Sequence, residues 1–365
     1  MALFSLVFSP SKHIIVLMKT KQLALVAALA VLTGCGGAEK PDAAETEGNN
    51  TPQPVVIGFS MGGVRLERWK KDEQSIVNRA RELGATVLTL TALENPELQN
   101  NQAENLIIQG IDVLLVVPQH SEKSARIVKL AHKAGIQVIA YDRIIRHCDL
   151  DYYVSFDNVK VGEYQALGVI AALDPNRTNR LAYIGGSSVD ANSLQLKQGT
   201  MAVLKPLIKS GKVTLELETF TKDWSVQNAY QDMKQFLEAG GRVDGVIAAN
   251  DATASGVIQA LQEHGLSNIP ISGQDAELGA CQRVAKGTQA VTIYKPIDKL
   301  GRMAAEMAVQ VARGLPVPVN ASVNNGFYDV PSVLLESVAI TQENLNDTVV
   351  LDGFHTYEEV FGAAP

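Results

Sequence analysis

Residues 112–143 read DVLLVVPQHSEKSARIVKLAHKAGIQVIAYDR, and this stretch decides the fold. Val113–Val117 is a short apolar run rich in β-branched residues, which predicts a buried strand. Ser121–Ala134 repeats apolar residues at helical spacing, and Gly135 follows it as a left-handed helix cap. A second apolar run, Val138–Tyr141, completes a strand–helix–strand unit. Such units place strands parallel in one sheet, with helices covering its faces.

The same alternation continues on both sides of this unit. The predicted strands form two sets of five: Val55–Phe59, Thr86–Leu90, Val113–Val117, Val138–Tyr141 and Tyr153–Phe156, then Leu181–Ile184, Val213–Phe220, Val243–Ala248, Ile269–Ser272 and Ala290–Tyr294. Helical patterns lie between most of them, at Leu66–Leu83, Leu98–Gln109, Ser121–Ala134, Val161–Leu173 and Ala254–His264. Glycines that suit helix ends recur at Gly84, Gly110 and Gly265. The sequence therefore predicts an α/β protein with two doubly wound, Rossmann-like parallel-sheet domains.

The composition agrees with two globular domains and excludes several classes of protein. The chain has 365 residues, of which 46% are hydrophobic and 19% charged, so it can fill two cores. Its net charge of −7 argues against a nucleic-acid partner, which would require a concentrated basic face. Three cysteines are too few to build a disulfide scaffold.

The first 35 residues are predicted to be a signal peptide. Met18–Lys21 is basic, Leu23–Leu32 is apolar, and Leu32–Cys35 resembles the lipobox of bacterial lipoproteins, in which Cys35 carries the lipid. An ordinary signal peptide with an incidental cysteine is one alternative. Translation from Met18 rather than Met1 is another. Residues 36–54 are rich in Gly, Ala, Glu, Asn, Thr and Pro and predict a flexible tether. Together these segments predict a lipid-anchored protein of the bacterial cell envelope, working in the periplasmic or extracytoplasmic space.

Polar and aromatic side chains follow the predicted strands, at the ends where parallel sheets bind ligands. They are Arg68, Trp69, Asp142 and Arg143 in the first set, and Asn192, Trp224, Asn250, Asp275 and Lys295 in the second. Charged and amide groups bind hydroxyls, whereas indole rings pack on the apolar faces of a sugar. The set therefore predicts a polyhydroxylated ligand. Each residue also has a structural alternative: Asp251 suits a helix cap, Asn158 a turn, and Trp224 a half-exposed helix position.

Other motifs argue against catalysis and against a cofactor. Gly58–Gly62 matches the G-x-S-x-G elbow of α/β hydrolases, but no earlier strand supplies the second oxyanion-hole amide, so a Ser60 esterase is a remote alternative. The chain has no phosphate-binding glycine motif and no histidine or cysteine pair at metal spacing, so neither a cofactor nor a metal is expected. Cys148 and Cys281 are predicted to be free thiols.

Several segments, in order from Val55 to the end of the chain, resemble the bacterial xylose-binding proteins of the type I periplasmic sugar-binding family. They are Val64–Trp69, Ala140–Arg143, Ser155–Asn158, Ala249–Thr253, Ser272–Ala276, Thr292–Pro296, Asn324–Gly326 and Asp352–His355. Two departures concern the choice of sugar: Gly62-Gly63 stands where relatives carry acidic residues, and Ala191 replaces an amide. A glucose- or arabinose-accepting binder therefore stays open beside a xylose binder.

The resemblance implies the roles of the strand-end residues. Trp69 and Trp224 would stack on the two faces of the pyranose ring. Its hydroxyls would be held by Arg68, Asp142, Arg143, Asn192, Asn250, Asp275 and Lys295.

The resemblance also implies a domain organisation with three crossings. The N-terminal sugar-binding domain would comprise residues 55–156 plus about 296–325, and the C-terminal one 157–295 plus about 326–365. The chain would cross near Asp157-Asn158, near Lys295-Pro296, and between Asn325 and Val333.

The function implied by the resemblance is that of a monomeric substrate-binding lipoprotein that is not an enzyme. It would capture D-xylose or a close aldose between two closing domains and deliver it to an ABC permease and its ATPase. The alternative from another class is a sugar sensor that presents its bound form to a chemoreceptor or a histidine kinase.

Overall fold

The computed structural model describes residues 54–64 and 68–362, and the predicted signal peptide, Cys35 and the tether up to residue 53 lie outside this part of the chain. The strands are β1 Val56–Met61, β2 Thr86–Thr91, β3 Val113–Val117, β4 Gln137–Tyr141, β5 Tyr152–Phe156, β6 Asn179–Gly185, β7 Val213–Phe220, β8 Gly245–Ala248, β9 Ser272–Gln274, β10 Val291–Tyr294, β11 Ala321–Asn324, β12 Asp329–Leu335 and β13 Val338–Ile340. The α-helices are α1 Arg68–Glu82, α2 Pro96–Ile108, α3 Ala125–Lys133, α4 Asn158–Ala171, α5 Ala191–Lys209, α6 Val226–Glu238, α7 Asp251–Glu263, α8 Leu278–Ala285, α9 Ile297–Ala312 and α10 Tyr357–Phe361. A 3-10 turn at Lys222–Trp224 and a π-helical turn at Asn346–Val350 complete the described elements. None of the described helices is long and apolar enough to cross a membrane.

A seven-stranded sheet forms the first lobe, in the order β11-β12-β5-β4-β3-β1-β2, with only β11 antiparallel to its neighbour. Its two faces are both buried. Ile57 and Phe59 of β1 pack with α1 and α9 on one face, and Leu114 and Val116 of β3 pack with α2 and α3 on the other. The nearly continuous apolar runs predicted as strands are explained by this burial on both sides.

Two three-stranded sheets, β7-β6-β8 and β13-β10-β9, form the second lobe and are joined by a parallel bridge from Val246 to Ile271. Alternate residues of β6 face opposite layers: Leu181 packs with α4 and α5, and Ala182 with α6 and α7. The predicted α/β class with two parallel-sheet lobes is confirmed.

Three chain crossings connect the lobes, and the third lies later than predicted. The first two follow β5 and β10. β12, however, pairs in parallel with β5 from Ser332 to Leu335, so the chain leaves the first lobe only between Leu335 and Val338. The prediction of a crossing between Asn325 and Val333 was wrong, because the hairpin of β11 and β12 extends the first sheet beyond β5.

Two local predictions are also corrected. β9 begins at Ser272 rather than Ile269, since Pro270 has no N–H to donate and Ile271 forms only the isolated bridge. Asn158 is not a turn residue: it is the first residue of α4, which Asp157 caps by accepting from the Lys160 N–H. The left-handed glycines predicted after helices are present at Gly84, Gly110, Gly135 and Gly265.

Candidate ligand-binding cleft

A cleft lies between the lobes, at the carboxyl ends of their strands. It is lined by Arg68, Trp69, Asp142, Arg143, Asp190, Asn192, Trp224, Asn250, Gln274, Asp275 and Lys295. All nine residues predicted from the sequence are among them, and Asp190 and Gln274 are additional. The cavity therefore brings both indole rings and the predicted charged groups into one enclosed place.

The end of β4 directs two of these side chains toward the second lobe. Asp142 has a left-handed backbone, with φ of 60°, a conformation that Asp tolerates better than most residues. Its carbonyl oxygen accepts hydrogen bonds from the Tyr153 hydroxyl (2.9 Å) and from Ser155 Oγ (2.6 Å), both on β5. These bonds hold the turn at which Asp142 and Arg143 leave the sheet.

Arg68 is the centre of a buried ion-pair network. One guanidinium nitrogen lies 2.9 Å from Asp142 Oδ2, and another reaches Asp275 Oδ1 of the second lobe at 3.5 Å. Asp275 Oδ1 also lies 3.1 Å from Lys295 Nζ. The network therefore connects both lobes across the cleft.

The charges of this network hold Asp142 and Arg68 in their ionised forms. Burial alone would raise the pKa of Asp142, but the neighbouring Arg68, Lys295 and Arg143 outweigh it, and the pKa lies below its ordinary value. Burial also opposes the charge on Arg68, yet the carboxylates of Asp142, Asp72 and Asp275 raise its pKa well above the usual range.

Asp190 was missed as a site residue by sequence reasoning. It is the N-cap of α5, where its Oδ1 accepts from the Asn192 N–H at 2.9 Å. Its Oδ2 accepts from Trp224 Nε1 at 3.1 Å and lies 2.8 Å from Arg143 Nε. Burial raises the pKa of Asp190, and Arg143 opposes that shift. The available signal was its position at the start of a helix, immediately before Asn192.

The lobes are in direct contact around the cleft. Asn192 Nδ2 donates to the carbonyl oxygen and to Oδ1 of Asp142, both at 3.1 Å. Beyond the cavity wall, the Ser121 N–H donates to the Val189 carbonyl at 3.0 Å, and Ser121 Oγ accepts from the Ala191 N–H at 2.9 Å. The described arrangement is therefore a closed one.

Both tryptophans are buried in the cleft, with 4% of Trp69 and 6% of Trp224 exposed. The guanidinium carbons of Arg68 and Arg143 lie 4.7 and 5.2 Å from the centroid of the Trp69 ring. Trp224 lies against Gly186, where a Cβ atom would collide with the indole ring. The alternative of a half-exposed Trp224 is thus wrong, because this close approach and the Asp190 hydrogen bond hold the ring inside.

Asn250, not Asp251, caps the helix that follows β8. Asn250 Oδ1 accepts from the Thr253 N–H at 2.9 Å in a capping box. Asp251 is the first helical residue, and its buried carboxylate accepts from Gln289 Nε2 (2.9 Å) and Thr292 Oγ1 (2.8 Å). The interpretation of Asp251 as a cap was wrong, since its side chain joins α7 to β10 instead.

Three side-chain amide atoms on the cleft wall are buried without a hydrogen-bond partner among the described residues, whereas the buried Asp142 Oδ2 has the ion pair with Arg68. The three amide atoms are Asn192 Oδ1, Asn250 Nδ2 and Gln274 Oε1. Buried polar groups rarely stay unpaired, because an unsatisfied group destabilises the protein by about 1–3 kcal/mol. Two acceptors and one donor suit a neutral ligand whose hydroxyls both donate and accept.

Glu94 lies at the edge of the cleft, beside Gly63. A Cβ atom on Gly63 would collide with the Glu94 carboxylate, whose Oε1 accepts from the Val64 N–H at 3.2 Å. Gly63, Glu94 and both tryptophans line a second space between the lobes. Glycine at 63 therefore allows an acidic side chain from the loop after β2 to reach this edge.

Ser60 has none of the geometry of a hydrolase nucleophile. It lies within β1 rather than on a turn, it is fully buried, and its hydroxyl accepts from Gln99 Nε2 at 3.3 Å. The remote esterase alternative is therefore wrong. Cys148 and Cys281 are free thiols, as predicted.

Comparison with known proteins agrees with the fold and the cleft. Residues 57–316 match the periplasmic binding protein domain. The chain is 45% identical to the D-xylose-binding periplasmic protein of Haemophilus influenzae, over 84% of this chain and 92% of that protein. It is 43% identical to the protein of the same description from Escherichia coli, with the same coverage. Among solved structures, an ABC transporter solute-binding protein from Clostridium phytofermentans with bound β-D-glucose superposes with a TM-score of 0.77, at 27% identity, over 84% of this chain and 99% of that one.

The match covers most of the chain and includes both lobes that form the cleft. The proteins of this family bind ligands and do not transform them. The two closed parallel-sheet lobes and the polar cleft between them are what such a binding role requires. The chain therefore belongs to the periplasmic binding protein family, and it is a binding protein rather than an enzyme.

Proposed function

We propose that this protein captures D-xylose, or a close aldose, in the interlobe cleft and delivers it to an ABC importer. The observation that carries the proposal is the convergence of two buried indoles and nine polar or charged side chains on one cleft, where three buried amide atoms lack a partner. Two relatives at 45% and 43% identity are D-xylose-binding proteins, which supports xylose over other aldoses.

The chemistry of the cleft suits a neutral sugar. Arg68, Arg143 and Lys295 are each paired with a carboxylate, so the ligand needs no charge of its own. Hydroxyls accept from the cations and donate to the carboxylates, and such charge-assisted bonds are stronger than neutral ones. The indoles of Trp69 and Trp224 supply apolar surface for the C–H faces of the ring.

Binding by all nine predicted residues is part of this proposal. Arg68 and Asp142 lie on the first lobe, whereas Asn192, Asp275 and Lys295 lie on the second. A ligand that contacts both sets favours the closed state by its differential affinity for it. That closed state is the form we propose the importer receives.

Calorimetry with a panel of aldoses tests the ligand. We expect D-xylose to bind with a higher affinity than other aldoses, because the relatives at 45% and 43% identity are D-xylose-binding proteins. Ribose, an epimer of xylose, tests stereochemistry, and galactose tests the additional hydroxymethyl group of a hexose. Absence of heat with every aldose in the panel would contradict the proposed function.

Deletion of the gene separates import from sensing. Import predicts a loss of uptake of labelled xylose at low concentration, restored by the parent chain. If uptake is intact while a sugar-dependent response is lost, the sensor alternative is correct.

We further propose that Cys35 anchors the protein by lipid. The motivation is the basic segment, the apolar run and Gly34-Cys35 in that order. Cys35→Ser should move the protein from the membrane fraction to the soluble envelope fraction, with aldose binding unchanged. Cys148→Ser is the control, and an unchanged membrane fraction of Cys35→Ser would exclude the lipobox.

A further inference from the structure

Asp72 lies next to the cleft without lining it. It follows Arg68 by one turn of α1, and its side chain is fully buried. Its Oδ2 accepts from Arg68 Nε at 3.1 Å, and its Oδ1 accepts from a terminal guanidinium nitrogen, NH2, at 3.2 Å. One whole edge of the guanidinium is therefore bound to a single carboxylate, and two such bonds fix the plane of the group.

Tyr141 holds the same carboxylate from the other side. It is the last residue of β4, it is fully buried, and its hydroxyl donates to Asp72 Oδ1. Its ring meets Phe59 edge-on, with centroids 6.2 Å apart and an interplanar angle of 80°. Because Asp142 follows Tyr141 directly, the strand that fixes Asp72 also carries a ligand-facing carboxylate.

The remaining donors of Arg68 are directed by this arrangement. NH2 also lies 2.9 Å from Asp142 Oδ2, so Nε and NH2 are both engaged within the first lobe. NH1 alone faces the second lobe, where Asp275 Oδ1 is 3.5 Å away. That distance is too long for a strong hydrogen bond. NH1 is thus the part of the group presented to the cleft.

We infer that Asp72 and Tyr141 are positioning residues, which orient Arg68 so that NH1 donates to one particular hydroxyl of the sugar. This inference rests on the proposed function. Burial raises the pKa of Asp72, and the guanidinium of Arg68 opposes that shift, so the two groups depend on each other for their charges. Neither residue lines the cleft, and their effect passes through the orientation of Arg68.

The affinity test compares Asp72→Asn and Tyr141→Phe with the parent. Asp72→Asn should weaken xylose binding about tenfold or more, and Tyr141→Phe by a smaller factor, because the loss of a charged hydrogen bond loosens Arg68. Glu73→Gln, which removes the next carboxylate of α1, is the control and should bind like the parent. Parent-like affinity in Asp72→Asn would overturn the inference.

Monodeoxy xyloses separate positioning from a general loss of structure. For the one deoxy sugar that lacks the hydroxyl bound by NH1, the parent and the Asp72→Asn variant should have equal affinities. A folding defect would instead weaken the binding of all sugars by the same factor. That result would also overturn the inference.

Thermal unfolding without sugar tests the pairing independently of the ligand. Asp72→Asn should lower the melting temperature in the parent, but not in the Arg68→Met background, where it removes a buried charge that has lost its partner. Equal lowering in both backgrounds would contradict the pairing. If no aldose binds to the parent, the proposed function fails, whereas this cycle still reports whether Asp72 and Arg68 act as a pair.

Discussion

At the scale of single residues, each charged side chain in the cleft is balanced by another of opposite sign. Arg68 contacts Asp72, Asp142 and Asp275. The other two pairs are Arg143 with Asp190 and Lys295 with Asp275. The pairs within one lobe, Arg68 with Asp72 and Asp142 and Lys295 with Asp275, are oriented before the ligand arrives, which lowers the entropy lost on binding. Removal of one partner, by contrast, leaves a buried charge uncompensated.

Asp275 provides the first prediction at this scale. Asp275→Ala removes the carboxylate that faces both Arg68 and Lys295, of which Lys295 is only 2% exposed. The loss of a hydrogen bond to a charged group is expected to weaken xylose binding by about one to two decades. Calorimetry measures it, with Asp275→Asn as the isosteric comparison. Binding equal to that of the parent would show that Asp275 does not face the ligand.

Trp224 should respond differently to two substitutions. Phe retains an aromatic face but lacks the indole N–H that donates to Asp190, so Trp224→Phe should weaken binding about two- to tenfold. Ala removes the face as well, and Trp224→Ala should weaken it about a hundredfold or more. The chain has only two tryptophans, and both line the cleft, so intrinsic fluorescence can follow the titrations of the parent. Equal losses in the two variants would contradict ring stacking.

Asp190 on the cleft wall and Asp72 behind it were missed for the same physical reason. Asp142 and Asp275 follow strands directly, and the strand-end rule therefore finds them. Asp72 lies inside a helical pattern, where a carboxylate ordinarily faces solvent, and Asp190 has the position of an ordinary N-cap. Their importance arises from contacts across α1, β4 and α5, and one-dimensional patterns do not contain those contacts.

At the scale of elements, the boundaries follow hydrogen bonding rather than apolar runs. The βα alternation predicted all ten strands of the two main sets, and the central strands have a clear apolar signature because they are buried on both faces. The β11–β12 hairpin was missed, since β11 alternates half-buried and exposed residues and lies at the sheet edge. β9 is only three residues long, because Pro270 cannot contribute a donor.

Gly186, which directly follows β6, allows the Trp224 indole to pack closely against the backbone. Gly186→Ala should weaken xylose binding while the protein stays folded, because the added methyl would collide with the Trp224 indole. Val189→Ala, a truncation at a 38% exposed position of the same loop, is the control. Calorimetry and circular dichroism measure the two effects. Unchanged binding in Gly186→Ala would show that the ring can shift without loss.

Asp251 predicts a pH dependence of stability. Burial raises the pKa of Asp251 to about 7, against the hydrogen bonds from Gln289 and Thr292. The folded state therefore holds this proton more tightly than the unfolded state does. Its contribution to stability is fully present below about pH 4 and is lost as the pH rises through about 7.

Chemical denaturation between pH 4 and 8 measures this contribution. As the pH rises, the free energy of unfolding of the parent should fall relative to that of Asp251→Asn, because Asn does not titrate. A difference that is constant across this range would contradict the prediction.

At the scale of the whole molecule, closure includes contacts that the ligand does not make. Ser121 and the start of α5 exchange two hydrogen bonds outside the cavity wall. They stabilise the closed state whichever sugar is bound, and so they add to the affinity without affecting selectivity.

Ser121→Ala should therefore weaken the binding of all aldoses by the same factor. The loss of the bond from the Ala191 N–H is expected to reduce affinity about two- to tenfold, largely through faster dissociation. Ser124→Ala, another buried serine of the first lobe, is the matched control. Stopped-flow fluorescence with two sugars measures the dissociation rates. A loss that differs between the sugars would place Ser121 in selectivity rather than in closure.

The late return of the chain to the first sheet has a consequence for biosynthesis. β5 ends at Phe156, but its neighbour β12 begins only at Asp329, and α9 reaches its place on α1 only after most of the second lobe has been synthesised. At ordinary translation rates this delay is on the order of ten seconds or more. The nascent first lobe thus waits with an open sheet edge and with the Ile76 face of α1 uncovered. Chaperones and proteases have longer access to it than to the second lobe, most of which is contiguous in the chain.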